Sequence, residues 1–408
     1  MKLSYRYNMI KKVLSFAFLM GLVCCSQSAD DSVVQPLGVA DASPTAALKA
    51  EVCKGTDSFA VQVFSVLAEG QEGNFVFSPA SLEAVLRLLQ QGARGDTAAE
   101  LAALPMGKTG IRSAMTPAEA NALFIAEQLT LNPGVRADEV LKVPFATAPD
   151  KAASIINRWA ELKTRGLIPS IVSARDISPT TALVAANAIY LKEKWLHPFP
   201  TASTRENADF MLENGNTVHV PLMRSKAKYH YAEGEGWRAV ALPYNTEGRK
   251  GEPGYFIGIL PRGNARDFAR QLTPQQYQDI RKSLASNAGQ ETIVILPRFE
   301  LNPGTYSLKP ALQACGLKNI FSQNADMGGF CNSPLYLDDV LQRCYIETDE
   351  EGTKAAAVTV AVTRFQSIAP GPRPKVIAFD RPFIWVIGDL NTPAAPCFMG
   401  ITQHPQNN

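Results

Sequence analysis

"TALVAANAIYL", Thr181–Leu191, decides the fold class of this chain. It is an almost unbroken run of small and branched apolar residues holding a single amide, Asn187. Such a run reads as a strand covered on both faces, where alternation is lost because neither side meets water. Similar strands are predicted at "ETIVILPRF" (Glu291–Phe299), "PFIWVI" (Pro382–Ile387) and "CFMGI" (Cys397–Ile401). Earlier in the chain the period is helical. Ser78-Pro79 leads into Leu82, Val85, Leu86 and Leu89, with Ser as N-cap, Pro in the first turn and Gly92 as the stop. Ile155, Ile156, Trp159 and Leu162 form a second helical face, with Gly166 as its C-cap. Helices early and strands late predict an α+β protein rather than alternating βαβ units. No internal repeat is visible and no linker divides residues 51–404, so the body is expected to be one intertwined domain.

The chain has 408 residues, 46% hydrophobic and 19% charged, an ordinary globular composition. With 40 basic against 38 acidic residues there is no basic field to attract nucleic acid. Its histidines, His197, His219, His230 and His404, lack metal-ligand spacing, so no metal and no cofactor is expected. Lys2, Arg6, Lys11 and Lys12 precede the apolar run Val13–Val23, which is too short to span a bilayer and reads as a signal peptide. Leu22-Val23-Cys24-Cys25-Ser26 resembles a bacterial lipoprotein processing box, with Cys25 the lipidated residue and Cys24 the alternative. Residues 1–24 are read as the leader, 25–50 as a flexible tether, and 51–408 as the folded domain. The protein is thus expected to be exported and lipid-anchored to the bacterial cell envelope, on the periplasmic or the surface side of the outer membrane. Cys53, Cys315, Cys331, Cys344 and Cys397 show no disulfide framework; most read as small buried apolar residues, and one bond is left open.

Catalytic patterns are missing. There is no Gly-x-Ser-x-Gly elbow, no phosphate-binding Gly-x-x-x-x-Gly-Lys loop and no Gly-x-Gly-x-x-Gly turn. The carboxylates at Asp338-Asp339 and Asp349–Glu351 read as solvated faces rather than as an acid/base pair.

A series of segments resembles the serpin family in content and in order. It runs from "NFVFSPASLEAVLRLLQQGARGDTAAEL" (Asn74–Leu101) through "ANALFI" (Ala120–Ile125), "INRWAELKTRGLI" (Ile156–Ile168) and "LVAANAIYLKEKW" (Leu183–Trp195). It continues with "VPLM" (Val220–Met223), "ALPY" (Ala241–Tyr244), "LPRF" (Leu296–Phe299) and "GLKNIFSQNAD" (Gly316–Asp326). It ends with "ETDEEGTKAAAVT" (Glu347–Thr359) and "FDRPFIWVI" (Phe379–Ile387). The resemblance implies helices packed around a large antiparallel or mixed sheet, with smaller sheets and an exposed reactive loop at about 350–378. It implies a protease inhibitor rather than an enzyme. In inhibitory members the cleaved loop inserts into the main sheet and traps the protease as a covalent acyl-enzyme. A non-inhibitory binding or storage module is the alternative.

The resemblance maps the hinge onto Glu350, Glu351, Gly352, Thr353, Ala355, Ala356 and Ala357. A loop that becomes a central strand must tolerate burial of alternate side chains. Thr353, Ala355, Ala357, Thr359, Ala361 and Thr363 are all small and uncharged. The opposite series, Lys354, Ala356, Val358, Val360, Val362 and Arg364, carries charge only at its ends. The sheet-opening region maps onto Ser78, Ser81, Asn187, Gln342 and Trp195, with Gln342 standing where relatives usually carry His. Glu350 is expected to pair with Arg298. The family's spacing places the reactive bond at Gln366-Ser367, with cleavage after Phe365 or Arg364 as alternatives. The expected partners are trypsin-like, chymotrypsin-like and papain-like proteases, met by a monomer that touches membrane only through its anchor.

Overall fold

The computed structural model describes residues 58–106, 115, 117–135, 140–246, 248–287, 289–353, 373–391 and 394–406. All of these lie in one compact unit, Ala46–Asn408. The helices are α1 (Ser58–Gly70), α2 (Pro79–Gly92), α3 (Gly95–Ala103), α4 (Pro149–Lys163), α5 (Ala265–Gln271), α6 (Pro274–Ser286) and α7 (Lys309–Ala314). The early strands are β1 (Phe75–Phe77), β2 (Ala118–Ala126), β3 (Val140–Val143), β4 (Leu183–Tyr190), β5 (Glu193–Lys194) and β6 (Arg205–Met211). Then come β7 (Thr217–Gly234), β8 (Trp237–Pro243), β9 (Tyr255–Pro261), β10 (Gln290–Pro297), β11 (Phe299–Leu301) and β12 (Thr305–Ser307). The last are β13 (Asp339–Thr348), β14 (Gly352–Thr353), β15 (Lys375–Ala378), β16 (Phe383–Gly388) and β17 (Phe398–Thr402).

Among the described residues these strands make two sheets. A nine-stranded sheet runs β1-β17-β16-β9-β8-β7-β10-β15, with β6 also on β7. An eight-stranded sheet runs β3-β2-β4-β13-β14-β5, with β11 and β12 also on β13. The second is mixed. β4 and β13 pair in parallel from Val184–Asp339 to Tyr190–Tyr345, whereas β2 and β4 pair antiparallel. The fold is therefore α+β with a large mixed sheet, as the sequence indicates.

The order of elements corrects one expectation. Helices and strands interleave along the chain, since α5, α6 and α7 fall late and β1 to β3 early. "ETIVILPRF" is also two strands: β10 belongs to the first sheet and β11 to the second, with Arg298 at the crossing. Sequence periodicity sees the apolar run but not the change of partner.

All eight residues of β4 are buried, for the reason its sequence suggests: both faces are covered. Ala185 and Leu183 face a core shared with Val85, Leu86 and Leu89 of α2. Val184, Ala186, Ala188 and Tyr190 face a separate cluster with Ala152, Ile156 and Ala160 of α4. That narrow alanine face is what α4 buries, so Leu162 stays 61% exposed, contrary to the predicted stripe. The helix ends in a Schellman turn in which Arg165 (φ 55°) and Gly166 (φ 85°) are both left-handed. The Gly166 N–H donates to the Glu161 carbonyl at 2.8 Å. Gly92 is the last residue of α2 rather than a stop beyond it, and a Cβ there would strike the Phe330 ring. Cys315, Cys331, Cys344 and Cys397 are free thiols, and all but Cys315 are buried.

Candidate functional site

Two polar clusters interrupt the otherwise apolar centre of the mixed sheet. The lower one joins β4, β13 and the start of α2. Gln342 and Asn187 stand side by side in the parallel register and are essentially without solvent contact. The Gln342 amide accepts from the Ser78 N–H at 2.7 Å and donates to the Ser78 carbonyl at 3.1 Å and to Asn187 Oδ1 at 3.0 Å. Asn187 in turn donates to Asn121 Oδ1 at 2.8 Å and to the Ala120 carbonyl at 3.2 Å. Ser78 also caps α2, its hydroxyl accepting from the Ser81 N–H at 3.2 Å. Both buried side-chain amides of this cluster, Asn187 and Gln342, are satisfied, as burial requires. The Ser81 hydroxyl is the exception, buried with no hydrogen-bond partner. These four sequence-predicted residues thus form one knot beneath the strands.

The upper cluster lies where β13 ends. Asp349 turns the chain: its carboxylate accepts from the Glu351 and Gly352 N–H groups at 2.9 and 3.0 Å. Gly352 and Thr353 then run back antiparallel, between Thr348 of β13 and Lys194 and Glu193 of β5. The approach is close enough that a Cβ on Gly352 would collide with the Glu193 carbonyl, so only glycine fits. Thr353 is fully buried, and its hydroxyl bonds the Tyr244 phenol at 2.8 Å. Burial pushes that phenol far above its ordinary range, so it stays protonated. Tyr244 stacks on Trp195 at 4.9 Å. Trp195 holds the turn by two bonds, ring N–H to the Asp349 carbonyl at 2.9 Å and backbone N–H to the Glu351 carbonyl at 2.8 Å.

Glu350 is buried and faces Arg298, which donates to its two carboxylate oxygens at 2.6 and 3.2 Å; the Thr204 hydroxyl adds a bond at 2.8 Å. Burial works to raise this carboxyl, but the Arg298 and Thr204 bonds outweigh it, and it titrates below the usual range. Asp349 goes the other way: burial holds its carboxyl above the usual range despite the two backbone donors.

The acidic run Asp349–Glu351 is therefore no solvated face: one carboxylate builds the turn and the next is buried against arginine. Asp338 and Asp339 are likewise engaged, accepting from Thr181 at 2.9 Å and Ser307 at 2.8 Å. Sequence reasoning also passed over Tyr244, Thr204, Glu193 and Arg249. Arg249 grips the buried Glu193 carboxylate through both oxygens, at 2.7 and 2.6 Å. The only signal for the turn was the Asp-x-x-Gly spacing, which favours an Asx turn. Ala355, Ala356, Ala357, Arg364, Phe365, Gln366, Ser367 and Cys25 lie outside the described residues.

Comparison with known proteins places this arrangement in a family. The pattern described as "Serpin (serine protease inhibitor)" matches residues 54–405, and the chain belongs to the serpin family. It is 32% identical over 383 residues to an uncharacterised serpin-like protein of Thermococcus kodakarensis, covering 87% of this chain and 86% of that one. It is 31% identical over 361 residues to the leukocyte elastase inhibitor of Bos taurus, covering 81% and 93%. Among solved structures, Serpin48 of Tenebrio molitor superposes with a TM-score of 0.72 at 24% identity, covering 85% of this chain and 96% of that one. Human thyroxine-binding globulin gives 0.74 at 22%, covering 86% and 98%; at these identities the likeness is one of fold. The family is one of protease inhibitors rather than enzymes.

Proposed function

We propose that the chain is an inhibitory serpin that acts as a suicide substrate. A protease's nucleophile attacks the carbonyl of Gln366, or of Phe365 or Arg364, and the amine of the next residue leaves. The loop then enters the mixed sheet before water can hydrolyse the acyl bond. The targets are trypsin-like and chymotrypsin-like serine proteases, and papain-like cysteine proteases when Phe365 fills the neighbouring subsite. We further propose that the protein works as an exported monomer held to the bacterial envelope through Cys25 (or Cys24).

The observation that carries this reading is the pairing of Gly352 with Lys194 and of Thr353 with Glu193 and Thr348. Two residues already occupy the position a new central strand would take. Continued in the same register, Thr363 would lie opposite Leu183, the first residue of β4, so the small-residue segment matches the strand's length. Side chains directly opposite share a face. Ala355 and Ala357 would face the core of Ile189, Leu191, Cys344 and Ile346. Val358, Val360 and Val362 would face the cluster under α4 that holds Ala188, Ala186 and Val184. Thr359 would stand between Asn187 and Gln342 and offer a hydroxyl to the amides that insertion separates. Insertion replaces one parallel ladder by two antiparallel ones, so it adds a ladder of backbone bonds and buries the loop's small side chains, and that gain drives the reaction.

The test is incubation with trypsin, chymotrypsin and papain, followed by denaturing electrophoresis. A complex with a serine protease that survives denaturation supports the proposal. Complete loop cleavage with no complex and no loss of protease activity would refute inhibition.

A further inference from the structure

The outer face of the nine-stranded sheet carries a concavity that the inhibitory reading does not use. Ala378, Ile295 and Arg224 stand in one row across β15, β10 and β7, since Ile295 pairs with both of the others. Arg205 of β6 is opposite Leu222, two residues from Arg224 along β7. Side chains two apart share a face, so these residues project together. They line a cavity of about 370 Å³. A bulge lies at its rim: β6 holds one extra residue between Arg205 and Ala208, both of which line the cavity. The partner strand there is Pro221, which has no N–H to pair and whose carbonyl accepts from Arg298 N–H at 2.9 Å.

Arg205 and Arg224 are diagonal neighbours, an arrangement that like charges disfavour. Neither guanidinium has an ion-pair partner among the described residues. Asp209 and Asp380 line the same cavity, and each is engaged elsewhere, Asp209 with His219 at 3.1 Å and Asp380 with Arg381 at 3.4 Å. Two guanidinia with no ion pair to either of these acids thus stand beside an apolar floor of Leu222, Ile295 and Ala378. We propose that this groove binds a small organic carboxylate, its charge between the two guanidinia and its hydrocarbon body on the floor. An inorganic anion would satisfy the arginines and leave the floor wet, so the ligand class is amphipathic.

The probe is octanoate, titrated calorimetrically into the intact inhibitor, with octanamide and inorganic phosphate as comparisons. The expected result is one octanoate site, with octanamide and phosphate at least tenfold weaker. Arg205→Gln and Arg224→Gln, both at exposed positions, should each weaken octanoate at least tenfold with unchanged melting temperature. Arg175→Gln, exposed on another face, should leave it unaltered. Absence of octanoate binding, phosphate binding as tight as octanoate, or octanoate binding that survives both groove substitutions would each overturn the proposal. None of these outcomes depends on whether the chain inhibits a protease.

Discussion

The hydroxyls of Tyr244 and Thr353 meet at 2.8 Å in a buried site, although the residues are 109 positions apart in the chain. The bond seats Thr353, at the start of the proposed hinge, in the uncleaved chain. Tyr244→Phe keeps the ring stacked on Trp195 but leaves the Thr353 hydroxyl buried without a partner, a cost of about 1–3 kcal/mol. Insertion should then start from an unseated hinge. On the proposed mechanism, more of the protein should be cleaved as substrate and less recovered in complex, measured as the molar ratio needed to abolish protease activity.

Arg249 and Glu193 form a second support beside the proposed hinge. Glu193 precedes Lys194, whose backbone pairs with Gly352, and its side chain is only 3% exposed. Arg249→Gln removes the bidentate partner of a buried carboxylate, which should cost about 2–4 kcal/mol, discounted for the partial exposure of Arg249. Glu193→Gln combined with Arg249→Gln should restore part of that loss. Chemical unfolding of the single and double variants checks this as a coupling energy.

Gln342 does not titrate, so opening of the β4–β13 seam should be insensitive to pH between about 5.5 and 8. Gln342→His introduces a group whose ordinary pKa is about 6.5. Protonation would abolish an acceptor for the Ser78 N–H, which Gln342 Oε1 now supplies at 2.7 Å. The rate of complex formation in the variant should therefore change across that range while the parent's stays flat, relative to the protease's own profile.

Glu350 gives an acid-side dependence of stability. Its carboxyl titrates below the ordinary 4.5 when folded, because Arg298 and Thr204 outweigh burial. A lowered folded pKa contributes stability that is complete above the unfolded value and fades as pH falls through the folded one. Glu350→Gln should therefore be less stable than the parent near pH 7, and the gap should narrow as the pH drops to about 3. Urea unfolding at both pH values checks the sign.

What the sequence made legible was composition along each strand and helix. The doubly covered β4 and the cap at Ser78 could be read because each depends on local residue type. Partner choice could not: the split of Glu291–Phe299 between two sheets, or the narrow alanine face of α4, depends on what lies across the gap. The family resemblance supplied Ser78, Asn187, Gln342, Trp195 and Arg298 as a set, but not the bonds among them. Thr353 is the instructive difference. Expected to be buried only after cleavage, it is already paired and buried, so Thr353→Arg would disturb the starting state as well as the product.

Thr359 is the better position for a charge, because on the proposed insertion the register of Gly352 and Thr353, if continued, would set it between Asn187 and Gln342. The most direct measurement is the melting temperature of the protein before and after cleavage of its loop, for the parent and for Thr359→Arg. Cleavage of the parent should raise the melting temperature by on the order of 10 °C or more, as expected for a newly buried strand, and cleavage of Thr359→Arg should not raise it. A cleaved parent that melts at or below the intact protein would contradict insertion.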